Sequence, residues 1–392
     1  MNFDFSFFDE PIERCGTDCE KWDGIREREG KELLPMWVAD MDFRCPIEVT
    51  EALIVRAQHP VYGYTDQSES AIQAMLDFTA RHYGVTLTKK QQTTLPCVVT
   101  GLRAAVRTQT QPGDGVLIQP PVYGPFFSVV RDNGRTLVEN PLIPDEHGYY
   151  RMDFEGMEAA FQGGVKLALL CSPHNPVGRV WTREELDRVY DLCKRYDVTL
   201  VVDEIHADFV FQKGAFTNAL LLDASEDAKI IVLNSASKTF NIAGMRQAVM
   251  LTRNQKLRHA LTEDMRNAGV IPGNIFSFVA NEAAYRYGDA WLEGMLAYLE
   301  AAYKLLQKEI AERLPKAILS PMEATYLAWI DLRAYGFSMA ELMKRTYEQG
   351  VAFTSGQFFD KTLGDGFLRL NFACPHSQTM EAVKRLEKAI KG

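Results

Sequence analysis

The 392-residue chain contains no apolar run approaching the roughly 18 residues needed to cross a bilayer, so no membrane partner is expected. It also has no internal repeat, no low-complexity tract and no Gly/Ser-rich linker. Basic residues are outnumbered, 43 Lys and Arg against 52 Asp and Glu, for a net charge of -9. That balance argues against a broad nucleic-acid face while leaving room for a local basic pocket. Seven cysteines (15, 19, 45, 97, 171, 193 and 374) are scattered, and only Cys15 and Cys19 lie close together. No second pair or nearby histidine completes a zinc site, so no metal is expected and the thiols read as reduced, mostly core filler. The opening "MNFDFSFFDE" is acidic and lacks the basic start and apolar stretch of a signal peptide, which points to a cytoplasmic protein. Neither G-x-G-x-x-G nor G-x-x-x-x-G-K-[ST] occurs, which removes the common nucleotide-binding readings.

What is present is an alternation. Apolar, β-branched runs occur at "GVLIQ" (115–119), "VKLALLC" (165–171), "VTLVVDE" (198–204), "KIIVLN" (229–234) and "AVMLT" (248–252). They are continuous rather than alternating, as in strands covered on both faces of a largely parallel sheet. Between two of them, Thr182 and Glu185 form a capping box, with Leu186, Val189, Tyr190 and Cys193 at helical spacing behind it. The last hundred residues differ. A long helix is expected over 289–314, a strand at "YLAWIDL", a helix opened by Ser338 and Glu341, a strand at "GFLRLNFAC" and a closing helix from Ser377. The expected fold class is α/β: a large domain (46–285) with a mostly parallel mixed sheet flanked by helices, and a smaller α+β domain (1–45 and 286–392).

Polar residues punctuate the strand ends. "LLCSPHNPVG" puts Asn175 past one, "LVVDEIHADF" puts Asp203 at another with His206 three residues on, and "VLNSASK" puts Lys238 past a third. In an open α/β sheet, ligands bind outside the carboxyl ends of the strands. Singly, these residues read as a turn, a helix cap, a structural histidine and a surface charge. Together they suit pyridoxal 5′-phosphate. A lysine amine bonds its aldehyde, an acid holds its ring nitrogen protonated, and the ring becomes an electron sink. Lys238 takes the lysine role and Asp203 the acid role. Asn175, with His206 as a second contact, faces the phenolic oxygen, and Tyr123 in "PPVYGPF" offers a ring to stack on the cofactor. Ser235, Ser237 and Arg246 supply hydroxyl and guanidinium donors for the phosphate, and the backbone N–H groups of Val99 and Thr100 at a helix start add an anion site.

"SPHNPVG", "VVDEIHADF" and "SASKTFNIAGMR" follow the motif order of the fold-type I pyridoxal-phosphate enzymes, and the sequence resembles their class I/II aminotransferase superfamily. "PMWVADMDF", "VYGYT", "DEIHAD" and "NEAAYRYGDAWL" resemble its branch of MalY/PatB-type cystathionine β-lyases. The resemblance spans essentially the whole chain and implies a homodimer with shared active sites. In it, Tyr64 reaches the neighbouring subunit's cofactor phosphate, Arg369 clamps the substrate α-carboxylate, and the backbone at Ala39, beside Asp40, lines the substrate pocket. Asn175 also borders that pocket. Where aminotransferases often carry tyrosine, this chain has His206. The implied activity is β-elimination from L-cystathionine, cystine or other cysteine S-conjugates to pyruvate, ammonia and a thiol.

Three other readings compete. A true aminotransferase would use the same residues and differ only in the fate of the Cα-deprotonated substrate. "SASK" matches the S-x-x-K of penicillin-binding acyl enzymes, but the companion S-D-N and K-T-G are missing. A non-catalytic scaffold would not need every position of the site filled with a competent residue.

Overall fold

The computed structural model describes residues 3–392. Its strands in chain order are β1 (Leu34–Met36), β2 (Gln92–Leu95), β3 (Gly115–Ile118), β4 (Thr136–Glu139), β5 (Ile143–Pro144), β6 (Tyr150–Arg151) and β7 (Leu167–Cys171). They continue with β8 (Thr199–Asp203), β9 (Ile230–Asn234), β10 (Ala248–Leu251), β11 (Ile318–Leu319), β12 (Leu327–Asp331), β13 (Val351–Ser355) and β14 (Phe367–Asn371). Seven of them form one sheet in the order β2-β10-β9-β8-β7-β3-β4. β10 runs antiparallel to both neighbours, and the pairs from β9 through β4 are parallel. The fold is therefore the expected mixed α/β architecture with a mostly parallel sheet flanked by helices.

Every residue of β7, β8 and β9 is buried, which is why these runs are continuously apolar instead of alternating. Helix Arg183–Arg195 covers one face with Leu186, Val189, Tyr190 and Cys193. Its capping box forms as the sequence demands: the Thr182 hydroxyl accepts from the Glu185 amide at 3.1 Å and Glu185 Oε2 accepts from the Thr182 amide at 2.8 Å. Losing that cap costs about 1 kcal/mol. Helix Val98–Gln109 lies against the other face at a distance only glycine allows. A Cβ on Gly101 would stand 2.6 Å from the Leu233 side chain and 2.8 Å from that of Leu95. The close approach sets the helix start at the strand ends.

A second sheet, in the order β1-β13-β14-β12-β11, draws on both ends of the chain. Helices Asp289–Arg313 and His376–Lys391 pack beside it. No helix among the described residues is long and apolar enough to cross a membrane. The cysteines depart from expectation. Cys171, Cys193 and Cys374 are buried, whereas Cys15 and Cys97 are exposed and Cys19 and Cys45 are partly so. The last two, with Cys97, sit at helix starts and turns, where the thiol meets a local oxygen rather than a core neighbour: Arg14 O for Cys19, Thr50 Oγ1 for Cys45 and Thr100 Oγ1 for Cys97.

Candidate active site

β7, β8 and β9 end side by side, and the loops that leave them carry the polar residues. Asp203 is the last residue of β8. Its Oδ1 accepts one hydrogen bond, from the Ile205 amide at 3.1 Å. Burial pushes its pKa up to about 7, against the pull of that amide and of the Lys238 charge. His206, also buried, has no partner for Nδ1 among the described residues. Desolvation, then the positive charges of Lys238 and Arg369, hold its pKa down to about 3, so the ring is neutral.

Lys238 lies in the short helical turn that follows β9, with its side chain partly buried. Nζ donates to the backbone carbonyl of Ala39 at 2.8 Å. Desolvation is the main influence lowering its pKa to about 8; Arg369 and Lys21 act with it, while Asp40 and Asp203 oppose it. From the second sheet, Arg369 on β14 reaches the same space. Its guanidinium donates to the Trp37 carbonyl at 2.6 Å, to Thr354 Oγ1 at 3.2 Å and to Asn175 Oδ1 at 3.3 Å, and lies 4.9 Å over the Phe359 ring. Its Nε, buried, donates to nothing among the described residues. Tyr123 stands beside this group: burial raises its pKa, Arg369 lowers it and Asp203 raises it. The structure thus brings together Asn175, Asp203, His206, Lys238, Arg369, Tyr123 and Ala39.

The residues expected around a phosphate are placed less uniformly. Helix Val98–Gln109 leaves the Val99 N–H at its positive end, while the Thr100 N–H turns back to the Cys97 carbonyl at 3.2 Å. The Ser235 hydroxyl is engaged: it donates to the Gln247 carbonyl at 2.6 Å and accepts from the Ser237 amide at 3.0 Å. The Ser237 side chain is partly exposed, and Arg246 is exposed on a left-handed backbone, φ 49°. Tyr64 projects fully exposed from an extended stretch that also exposes Val61 and Tyr62.

The largest element that sequence reasoning missed is the way residues 37–43 are held as a strap across the site. Asn241, itself at φ 54°, accepts from the Met41 amide at 2.9 Å and donates to the carbonyls of Met41 and Phe43 at 3.0 and 2.7 Å. Asn371 donates to those of Val38 and Asp40 at 2.5 and 2.8 Å. The Tyr326 hydroxyl donates to Ala39 O at 2.8 Å. Within the strap, Asp42 is buried between Lys21 (2.8 Å), Arg14 (2.6 Å) and the Trp22 indole (3.0 Å). Burial alone would raise its pKa, but the two cations outweigh that and hold it below the usual carboxylate value. Polar asparagines inside the apolar run "FLRLNFAC" and after "SASKTF" were the available signal.

A lysine, a buried carboxyl whose pKa is raised and an arginine whose Nε has no partner among the described residues thus converge from two sheets. The chain belongs to the aminotransferase class I and II family, which residues 32–386 match. It is 38% identical to cystathionine beta-lyase PatB of Bacillus subtilis, over 98% of this chain and 99% of that one. It is 32% identical to protein MalY of Escherichia coli, over 99% of each. Among solved structures it is similar to cystalysin of Treponema denticola, which contains pyridoxal 5′-phosphate, with a TM-score of 0.94, 31% identity and 98% of each chain covered.

Proposed function

We propose that this protein is a pyridoxal-phosphate-dependent carbon–sulfur β-lyase that converts L-cystathionine, cystine or related cysteine S-conjugates to pyruvate, ammonia and a thiol. The full-length likeness to the β-lyases carries this reading over transamination. The residues present fit the cofactor. Asp203 is a buried acid with a single backbone donor, ready to face a ring nitrogen, and the unpartnered Nδ1 of buried His206 lies in the same shell. Lys238 would hold the aldehyde carbon, Tyr123 one ring face, Asn175 and His206 the ring's polar edge. The N–H of Val99 and the side chains of Ser237 and Arg246 are the phosphate candidates not already engaged; the Thr100 N–H donates to the Cys97 carbonyl, and the Ser235 hydroxyl donates to Gln247 while accepting from the Ser237 amide.

Bound there, the cofactor supplies an electron-poor ring for the electron pair left at the substrate's Cα. The chain's own residues do the rest. Arg369 presents a buried guanidinium whose Nε is without a partner among the described residues and whose Nη1 Asn175 holds loosely, charge-assisted donors for an α-carboxylate. That contact fixes Cα near Lys238. Once the substrate's own amine has replaced it on the aldehyde carbon, the Lys238 Nζ, its pKa brought toward neutrality, is free to accept the Cα proton as general base. Asp203 would face the ring nitrogen and favour its protonated form, and the Tyr123 hydroxyl keeps its own proton because burial raises its pKa. The sulfur leaves Cβ with the bonding pair. With water consumed, L-cystathionine yields homocysteine, pyruvate and ammonia.

The proposal includes a cytoplasmic homodimer in which Tyr64 completes the partner's site, and division of the chain into 46–285 as cofactor-binding unit with 1–45 and 286–392 as the smaller one. Exposed Ile54, Val55, Val61, Tyr62 and Tyr64 support a covered face. The deciding experiment supplies purified protein with pyridoxal phosphate and L-cystathionine and follows pyruvate and free thiol together. Equimolar release is expected. Amination of a 2-oxo acid with no thiol release would assign transamination instead.

A further inference from the structure

Two donors share one acceptor at the centre of the site. The Lys238 amine and the Tyr326 hydroxyl each lie 2.8 Å from the carbonyl oxygen of Ala39. We propose that Tyr326 is a positioning residue for the Lys238 amine, acting through the Ala39 carbonyl: it occupies one lone pair, fixes the direction of the other, and limits how tightly the lysine is held as an ammonium. The proposal rests on the reading of Lys238 as the cofactor-bonding lysine and general base.

Tyr326 is built for a fixed orientation. Its side chain is fully buried, and its ring stands edge-on to Phe209, with centroids 4.8 Å apart and planes at 77°, and 6.2 Å from the His206 ring. Residues on either side tie it to both sheets. The Thr325 amide donates to the Phe209 carbonyl at 2.9 Å, in the segment that follows Asp203, while the Tyr326 carbonyl accepts from Phe372 at 3.0 Å just past β14. Thr325 itself is held at φ 73°, a region that a β-branched residue enters only under constraint. An outlier of this kind persists where the surroundings over-determine it, and here it delivers the hydroxyl to the strap. The strap cannot drift away, because Asn371, Asn241, Arg369 and Thr354 hold the carbonyls around Ala39.

A neutral carbonyl that accepts from an ammonium favours the protonated lysine. A phenol already donating to that oxygen weakens it as an acceptor for the amine. Removing the hydroxyl releases the second lone pair, lets the carbonyl turn to the lysine alone, and raises the lysine's proton affinity. The other charges in reach are Asp40 on the strap, Asp203 at the end of β8, Arg369 on β14 and Lys21 from the N-terminal segment, with neutral His206 alongside. None of these is altered by changing Tyr326 to Phe.

The test reads the lysine directly. Cofactor-free protein is mixed with pyridoxal phosphate, and the rate at which the lysine-bound absorption band appears is measured against pH. In the wild type the midpoint is expected near the Lys238 pKa of about 8. In Tyr326→Phe, which keeps the ring in its packing, the midpoint moves to higher pH and capture at pH 7 slows by about threefold, as expected for the loss of one competing hydrogen bond. Site-specific 3-fluorotyrosine at 326 changes the ring by a single fluorine and strengthens the donor, so its midpoint moves to lower pH. Opposite shifts from the two changes, with KM for the amino-acid substrate unchanged, are the expected result. A midpoint that stays put in the fluorinated protein, or moves the same way in both, overturns the proposal. Lys238→Ala is the control: if it still develops the band, the lysine assignment fails rather than the role of Tyr326.

Discussion

Replacing Asp203 by asparagine should strengthen the cofactor-free protein while disabling the enzyme. In the folded chain Asp203 titrates near 7, against 3.8 for the free side chain, because burial disfavours its charge. The folded state therefore binds the proton more tightly than the unfolded state does. Stability from this group is complete below pH 3.8, declines as the pH rises toward 7, and is gone above it. A displacement of roughly 3 units corresponds to about 4 kcal/mol at pH 8. At pH 5 only the lower part of the window has been crossed, and the loss is about 1.7 kcal/mol. Asparagine has nearly the same shape, keeps an oxygen for the Ile205 amide and cannot ionise. Urea unfolding of the two cofactor-free proteins should show the variant's advantage growing by about 2.5 kcal/mol between pH 5 and pH 8. Loaded with cofactor, the same variant lacks the carboxylate at the ring nitrogen. A charge-assisted hydrogen bond of about 2–3 kcal/mol lost there lowers kcat by roughly a hundredfold. A stability difference that does not change with pH would refute the reasoning, since it would mean that Asp203 ionises as easily inside the fold as outside it.

Arg369→Ala should raise KM for α-carboxylate substrates by about a hundredfold, because a buried, charge-assisted contact is worth roughly 3 kcal/mol; steady-state kinetics with L-cystathionine reads this, and an unchanged KM removes the clamp. Asn241→Ala deletes three hydrogen bonds that hold the strap and should cost about 2–3 kcal/mol in urea unfolding. A loss under about 0.5 kcal/mol would mean the strap is held without it. Tyr64→Ala and Lys238→Ala, each nearly inactive alone, should regain activity when unfolded and refolded as a mixture, since a mixed dimer contains one site with both residues intact. No recovery would remove the shared-site arrangement.

The parts of the site that could be read in advance are those marked by a change of residue type along the chain. β7, β8 and β9 end at Cys171, Asp203 and Asn234, and the candidate residues Asn175, Asp203, His206 and Lys238 lie within a few residues of those ends. The capping box at Thr182 was legible for the same reason: its partners are three residues apart. The reversal of β10 was not, because an apolar run such as "AVMLT" carries no mark of direction. The strap was harder still. Its residues are recognised through backbone carbonyls, which every amino acid shares, so nothing in "PMWVADMDF" announces that Asn241, Tyr326 and Asn371 will hold it. Ser235 shows the converse. Its position three residues before Lys238 suggests an anion contact, whereas in this structure the buried hydroxyl donates to the Gln247 carbonyl, a partner that residue spacing does not announce.

The strap also sets when the reactive lysine acquires its surroundings. In chain order the Asn241 that grips Met41 comes 200 residues after it, and the Arg369 that grips Trp37 comes 332 residues after it. At roughly 5–20 residues per second, a chain leaving the ribosome carries the strap unanchored for on the order of half a minute. Through that interval the sheet that presents Lys238 can form, but the amine lacks the Tyr326 and Arg369 neighbours that it has in the folded chain. On the reading of Lys238 as the cofactor-bonding lysine, aldehyde capture in productive geometry waits for β14, and a chain truncated before that strand would carry the lysine without the neighbours the fold gives it.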